Sequence, residues 1–230
     1  MSTTPRSATA PFRKSTAREY FESIVIAVIL ALFIRTWVVQ AFKIPTGSME
    51  NNLLIGDHLL VNKWAYAPAM SALERTLLPI RTVRRGDVVV FKYPEEPERD
   101  FIKRVIGLPG ETLELRNKTL YIDGHPLDES AYVHFLVPQG HGGELAVNDL
   151  RENYGPVIVP PDQLFVMGDN RDNSRDSRYW GFLPMNYLKG KALMVYWSYD
   201  AERASQGGPL ANLVGLVTET RWSRLLHQIR

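Results

Sequence analysis

The sequence predicts a mostly β fold of antiparallel sheet, with a β-hairpin-rich insertion and one apolar N-terminal helix ahead of it that spans a membrane. Three observations predict it. A single long apolar run, Tyr20 to Phe42, stands near the start. Beyond it, apolar residues either alternate with polar ones or gather in runs of four or five, the two patterns of β-strands. Turns rich in Gly, Pro, Asn and Asp separate those runs. The expected organisation is a tail at 1–19, an anchor at 20–42 and a domain at 43–230 with its insertion at about 111–163.

Composition narrows the function before any motif is read. The 230 residues are 45% hydrophobic and 23% charged, which suits one globular domain of ordinary make-up. A net charge of +2, with the basic residues interspersed among acids, argues against nucleic acid as a partner. There is no cysteine, so disulfides, Cys-ligated zinc and a thiol nucleophile are excluded. The five histidines are scattered and no phosphate-binding glycine loop is present, so neither a metal nor a nucleotide cofactor is implied.

Residues 1–20 are polar and basic, with Arg6, Arg13, Lys14 and Arg18, and read as a flexible tail. The run that follows is unbroken Ile, Val, Ala, Leu and Phe from Ile24 to Ile34. A spanning helix needs about 20 largely apolar residues, and a long side chain such as Arg35 can snorkel at its end. Trp37 suits the interfacial belt, and basic residues before the span place the N-terminus in the cytoplasm and the rest outside. A cleavable secretory signal is the competing reading, because Val39-Gln40-Ala41 resembles a small-residue cleavage site. Arg35 and Trp37 are unusual just ahead of such a site, which favours an uncleaved anchor.

Ile44-Pro45-Thr46-Gly47-Ser48-Met49 comes next. Pro45 fixes one φ and Gly47 permits conformations closed to other residues, so Ser48 sits on a shaped turn. A serine there either bonds nearby backbone to end the loop or acts as a nucleophile with a base in reach. Leu53 to Val61 reads as two apolar runs broken by Gly56-Asp57, and residues 64–82 as a loop with one short helix. Val88-Val89-Val90-Phe91 is a buried strand after the Arg85-Gly86-Asp87 turn. In Asp100 to Gly110, alternation puts Phe101, Lys103 and Val105 on one face and Ile102, Arg104 and Ile106 on the other. Each face carries a cation between apolar neighbours. A buried Lys can shed its proton, whereas Arg cannot. The ordinary alternative is an edge lysine with a packed stem and a wet ammonium.

From Glu111 to Leu127 the alternation continues through Leu113, Leu115, Leu120 and Ile122, with polar turns at Asn117-Lys118 and Asp123-Gly124. Residues 128–163 are irregular apart from Val157-Ile158-Val159. The strand Leu164 to Met167 then runs into Gly168-Asp169-Asn170-Arg171-Asp172-Asn173-Ser174-Arg175-Asp176-Ser177-Arg178. A calcium loop is rejected, since Ser177 stands where the turn glycine belongs and Leu183 where the bidentate Glu belongs. A solvated turn and a buried network supporting a catalytic group both remain. The last stretch, Leu210 to Ile229, is too polar to span a membrane and reads as an amphipathic segment on the membrane or on the domain.

These blocks together resemble the bacterial type I signal peptidases, membrane-anchored serine proteases that remove signal peptides from exported preproteins. The matching blocks are the anchor, Ile44–Met49, Leu54–Val61, Arg85–Tyr93, Asp100–Gly110 and Gly168–Pro184, about half the chain. The resemblance implies an antiparallel β catalytic domain of signal-peptidase type. It also implies a Ser–Lys dyad, with Ser48 as nucleophile and Lys103 as general base. The Thr46 hydroxyl and the Ser48 N–H would form the oxyanion hole, and the hydroxyl of Ser174 would orient the amine. Asp176 and Arg178 would be a pair holding the site together. Substrate would lie extended against an edge strand, small side chains entering pockets walled by Phe42, Ile44, Met49, Leu53, Val90 and Ile102. Each of those six residues reads equally well as plain core. Some members have two spans and this chain offers one. The partners implied are signal-peptide-bearing preproteins and membrane lipid. Asp57-His58 following Ser48 so closely makes a Ser–His–Asp triad the weaker reading. A soluble Ser–Lys self-cleaving regulator is disfavoured by the anchor, and a non-enzymatic membrane-tethered scaffold would need no dyad.

Overall fold

A computed structural model describes residues 15–66, 81–136, 150–200 and 218–229. Residues 1–14 of the tail expected at 1–19, most of the loop at 64–82, residues 137–149 of the insertion and the stretch 201–217 lie outside the described residues, and the rest of that expected tail, from Thr16, is helical. The chain divides into two compact units, Met1–Val38 and Val39–Arg230.

The first unit is built on helix α1, Thr16–Phe33, followed by one π turn over Ile34–Val38. Ser15 stands at the N-cap position, and Arg18 pairs with Glu22 one turn on at 2.8 Å. No residue of α1 is buried, and Ile24, Ile26, Ile29 and Leu30 are more than half exposed. At 18 residues the helix is about 27 Å long, and its first two turns carry Arg18, Glu19 and Glu22. No helix among the described residues is long and apolar enough to cross a membrane. The expected helix at 20–42 therefore needs correction at its C-terminal end. Val39–Lys43 leaves the helix as strand β1, because its backbone pairs with the following strand, Val39 opposite Asn62 and Lys43 opposite His58.

The second unit is the antiparallel β fold expected. After β1 come β2 (Asp57–Asn62), β3 (Val88–Lys92) and β4 (Asp100–Gly107). A separate group follows: β5 (Thr112–Arg116), β6 (Thr119–Ile122), β7 (His125–Pro126) and β8 (Tyr154–Ile158). Then come β9 (Gln163–Met167), a one-turn helix α2 (Ser177–Trp180), β10 (Leu183–Pro184), β11 (Leu188–Ser198) and β12 (His227–Gln228). The larger sheet runs β1-β2-β11-β3-β4-β9-β10 with β12 added beside β11, and the smaller runs β7-β6-β5-β8.

β3 is apolar and buried from Val88 to Phe91 because both faces of the large sheet are covered there. Val88 and Val90 pack into one core cluster with Leu59 and Ile102, while Val89 and Phe91 pack into another with Val105 and Val166. The same double cover buries both cations of β4: Lys103 is 3% exposed and Arg104 1%. In the small sheet, Asn117-Lys118 and Asp123-Gly124 take positive φ at both central positions, the primed turns that match strand twist in two-residue hairpins. The inner side of this sheet closes over Ile106, Phe165 and Met167.

Of the amphipathic segment expected at Leu210 to Ile229 the structure describes 218–229, and this part lies on the domain. Within 218–229 there is a 3₁₀ turn at Trp222–Arg224, and β12 pairs His227 with Val195 and Gln228 with Met194. Ile229 packs on the core, and the Arg224 guanidinium takes both oxygens of buried Asp57 at 3.1 and 2.6 Å. Backbone pairing and this ion pair hold the segment as a strand against the domain.

Candidate active site

Ser48 is delivered by the turn that follows β1. Thr46 is extended (φ −136°, ψ 154°) and exposed, and Gly47–Met49 then makes one 3₁₀ turn. The start of such a turn leaves N–H groups without partners inside the helix, and Ser48 is its second residue. Residues from the loop after β9 clamp the turn. The Asn170 N–H donates to the Ser48 carbonyl at 3.1 Å, and its side-chain amide donates to the Gly47 carbonyl at 3.2 Å.

Lys103 comes from the middle of β4. Its Nζ is hydrogen-bonded to Ser48 Oγ at 2.6 Å, joining residues 55 apart in sequence. Burial pushes the Lys103 ammonium down to about 8, the carboxylates of Asp176 and Asp169 pull it partly back up, and Arg178 lowers it again. Nζ also lies 5.5 Å from the Phe101 ring. The pair opens on a cleft of about 470 Å³ lined by Phe42, Pro45, Thr46, Gly47 and Ser48, by Arg99 to Lys103, and by Asn173 and Arg175.

Behind the pair is a buried ionic network. Asp176 takes the Arg178 guanidinium at 2.8 and 2.9 Å and the Gly168 N–H at 3.0 Å. Burial pushes the Asp176 carboxyl up, but these donors outweigh it and hold the group below the usual carboxylate range. Arg178 also donates to the Arg171 carbonyl at 2.8 Å. Arg104 grips Asp169 through two bonds of 2.7 Å, and Asn52 donates to the same carboxylate at 2.7 Å. Arg171 grips Glu129, whose carboxylate also takes the Tyr132 hydroxyl at 3.0 Å. Ser174 Oγ is buried beside this network with no hydrogen-bond partner of ordinary geometry.

The structure thus brings Ser48, Lys103 and Thr46 to one cleft, with Asp176 and Arg178 behind Lys103. Of the six residues assigned to pocket walls, Phe42 and Ile102 line the cleft. Ile44, Met49, Leu53 and Val90 are fully enclosed in the core cluster to which Ile102 also belongs. The His58 ring is tilted against Trp197, with centroids 5.0 Å apart. No cluster of His, Cys, Asp and Glu among the described residues could hold a metal ion. Sequence reasoning noted Arg104 in its alternating strand and Asp169, Asn170, Arg171 and Arg175 in a polar block able to form a buried network, but gave none of them a partner, because partners such as Asp169 for Arg104 are distant in sequence. It passed over Glu129 and Arg99.

A hydroxyl bonded to a buried amine of lowered pKa, beside an exposed hydroxyl and a helix-start N–H, is an arrangement able to run acyl transfer. Residues 17–197 match the family model described as signal peptidase, peptidase S26. A signal peptidase I of Pseudomonas aeruginosa is 36% identical over 217 residues, covering 81% of this chain and 75% of that protein. A probable signal peptidase I-2 of Synechocystis is 38% identical over 189 residues, covering 80% of this chain and 75% of that protein. A crystal structure of a signal peptidase I from Enterococcus faecalis aligns with 49% of this chain and 97% of that chain, at 31% identity and a TM-score of 0.38.

Proposed function

The chain belongs to the signal peptidase family, peptidase S26, and from that premise we propose that Ser48 and Lys103 are the catalytic dyad with which it removes signal peptides from exported preproteins. As a member of the family it is a serine endopeptidase of the signal peptidase type. The observation that carries the residue assignment is the 2.6 Å bond between Ser48 Oγ and a Lys103 amine buried in an open cleft.

In the proposed reaction, neutral Lys103 takes the Ser48 proton as Oγ attacks the scissile carbonyl. The tetrahedral oxyanion is held by the Ser48 N–H and the Thr46 hydroxyl. Lys103 then passes its proton to the leaving amine, which becomes the N-terminus of the mature protein. The signal peptide stays on Ser48 as an ester, and Lys103 next deprotonates a water that hydrolyses it. The Asp176–Arg178 pair fixes the loop behind the amine, and Ser174 supplies the hydroxyl that orients it. Substrate lies extended beside β4 with small residues at the first and third positions before the cut, where Phe42 and Ile102 leave limited room.

The family is generally membrane-associated, and α1 with its π turn is the segment proposed to hold this chain at the membrane. Its support is an apolar surface exposed on every side. The test is cleavage of a preprotein with an Ala-x-Ala site in detergent by the intact protein, Ser48→Ala and Lys103→Ala. Loss in both variants with unchanged circular dichroism is expected. Retained activity in Lys103→Ala overturns the dyad, and an inert wild type favours a non-enzymatic scaffold.

A further inference from the structure

The cleft that holds Ser48 and Lys103 carries two arginines for which hydrolysis has no use. Arg99 and Arg175 both line it, with side chains 61% and 67% exposed. Each has an exposed carboxylate partner, Glu96 at 3.1 Å and Glu95 at 2.8 Å. Exposed pairs of this kind are weak and yield to a competing carboxylate. The other acids at the site are engaged elsewhere: Asp100 meets Lys189 Nζ at 2.7 Å, and Glu50 accepts from the Asn170 amide at 3.4 Å. The arginines are held in place by an aromatic stack. Tyr93 and Phe101 lie parallel with centroids 4.2 Å apart, Arg99 is 5.8 Å from the Phe101 ring, and Arg175 is 5.9 Å from the Tyr93 ring.

From this arrangement we infer that the cleft selects preproteins carrying an Asp or Glu about four residues from the scissile bond; the inference rests on the proposed function. Arg99 precedes Lys103 by four residues, about 13 Å along the strand direction. A substrate extended beside β4 covers that length with the same number of residues. A guanidinium fork matches a carboxylate with two parallel hydrogen bonds, and the apolar wall formed by Phe42, Pro45 and Phe101 keeps part of the surrounding water away.

The experiment uses the full-length protein in detergent and Ala-x-Ala peptides in which one Glu or one Gln is moved stepwise along both sides of the cut. The quantity read is the ratio of kcat/KM for the Glu peptide over the Gln peptide. A ratio of about fivefold is expected at a position about four residues from the cut, shrinking in high salt. Arg99→Ala combined with Arg175→Ala brings the ratio to about one, and Arg99→Glu with Arg175→Glu turns the preference toward a Lys peptide. A ratio near one at every position in the wild type, or a ratio retained in the double alanine variant, overturns the inference and leaves the proposed function standing. Failure to cleave any of the peptides overturns both.

Discussion

Gly168 lies so close to Ser48 that a Cβ placed on it would meet the Ser48 carbonyl oxygen at 2.5 Å, with Ser174 Oγ at 2.3 Å on the same side. The Ser48 oxygen belongs to the backbone, so no rotamer change relieves that contact. Gly168→Ala is expected to push the nucleophile turn away from β4. A displacement of about 1 Å at a catalytic group costs on the order of 10²-fold in rate, and overpacking costs about 1–3 kcal/mol of stability. Kinetics and urea denaturation on the same variant measure the two effects separately. Full activity would mean that the loop after β9 gives way without moving Ser48.

The amine of Lys103 sets the pH dependence. With its pKa lowered to about 8 by burial, only about a tenth of the molecules hold a neutral amine at pH 7. The ratio kcat/KM therefore rises about tenfold per unit below that value and levels off above it. Lys103→Arg keeps the charge but gives up no proton, and is expected to be inactive across the whole range. A profile flat from pH 6 to about 9 would remove Lys103 from the role of base.

The same burial costs stability. Below about pH 8 the lysine is protonated in both folded and unfolded chains, so the folded state bears the full penalty of a buried ammonium. The penalty fades as the pH rises toward the unfolded value of 10.5 and is absent above it. Lys103→Met should accordingly be more stable than the wild type by about 3 kcal/mol at neutral pH, with the difference vanishing in strong alkali. Thermal melts of the two proteins at pH 7 and at about pH 11 check both the sign and the window.

The strands were legible because their side chains report on the layer they face. Alternation marked β5 and β6, and the apolar run Val88 to Phe91 in β3 marked a strand covered on both sides. Two-residue polar turns marked the hairpins. Read from the residues alone, Ser48 and Lys103 were two separate oddities, a shaped serine turn and a cation set among apolar residues, and the family resemblance is what joined them. Their meeting depends on β1, β3 and β4 being assembled in one sheet. The burial of Arg104 alongside Lys103 was not legible, since alternation alone puts one of any two neighbours outside. It takes Asp169, 65 residues on, to make that burial tolerable. The exit of the apolar run into β1 was hidden for a related reason. Val39 and Phe42 suit a spanning helix and a sheet strand equally, and only pairing with β2 decides between them.

Arg224 ties the end of the chain to the loop behind the nucleophile. It holds both oxygens of Asp57, which is fully buried, and donates to the Asn52 carbonyl at 2.7 Å. Asp57 in turn accepts the Leu54 N–H at 2.8 Å, and Asn52 reaches the Asp169 carboxylate. Removing one partner of such a pair strands a buried charge, so Arg224→Met is expected to cost about 3 kcal/mol or more. Replacing both, with Asp57→Asn added, leaves no stranded charge and should recover a good part of that loss. The two single variants and the double form a cycle whose coupling term isolates the pair from other effects of each substitution. Urea denaturation measures it, and a coupling near zero would mean that β12 is held by its backbone pairing with β11 and by Ile229 alone.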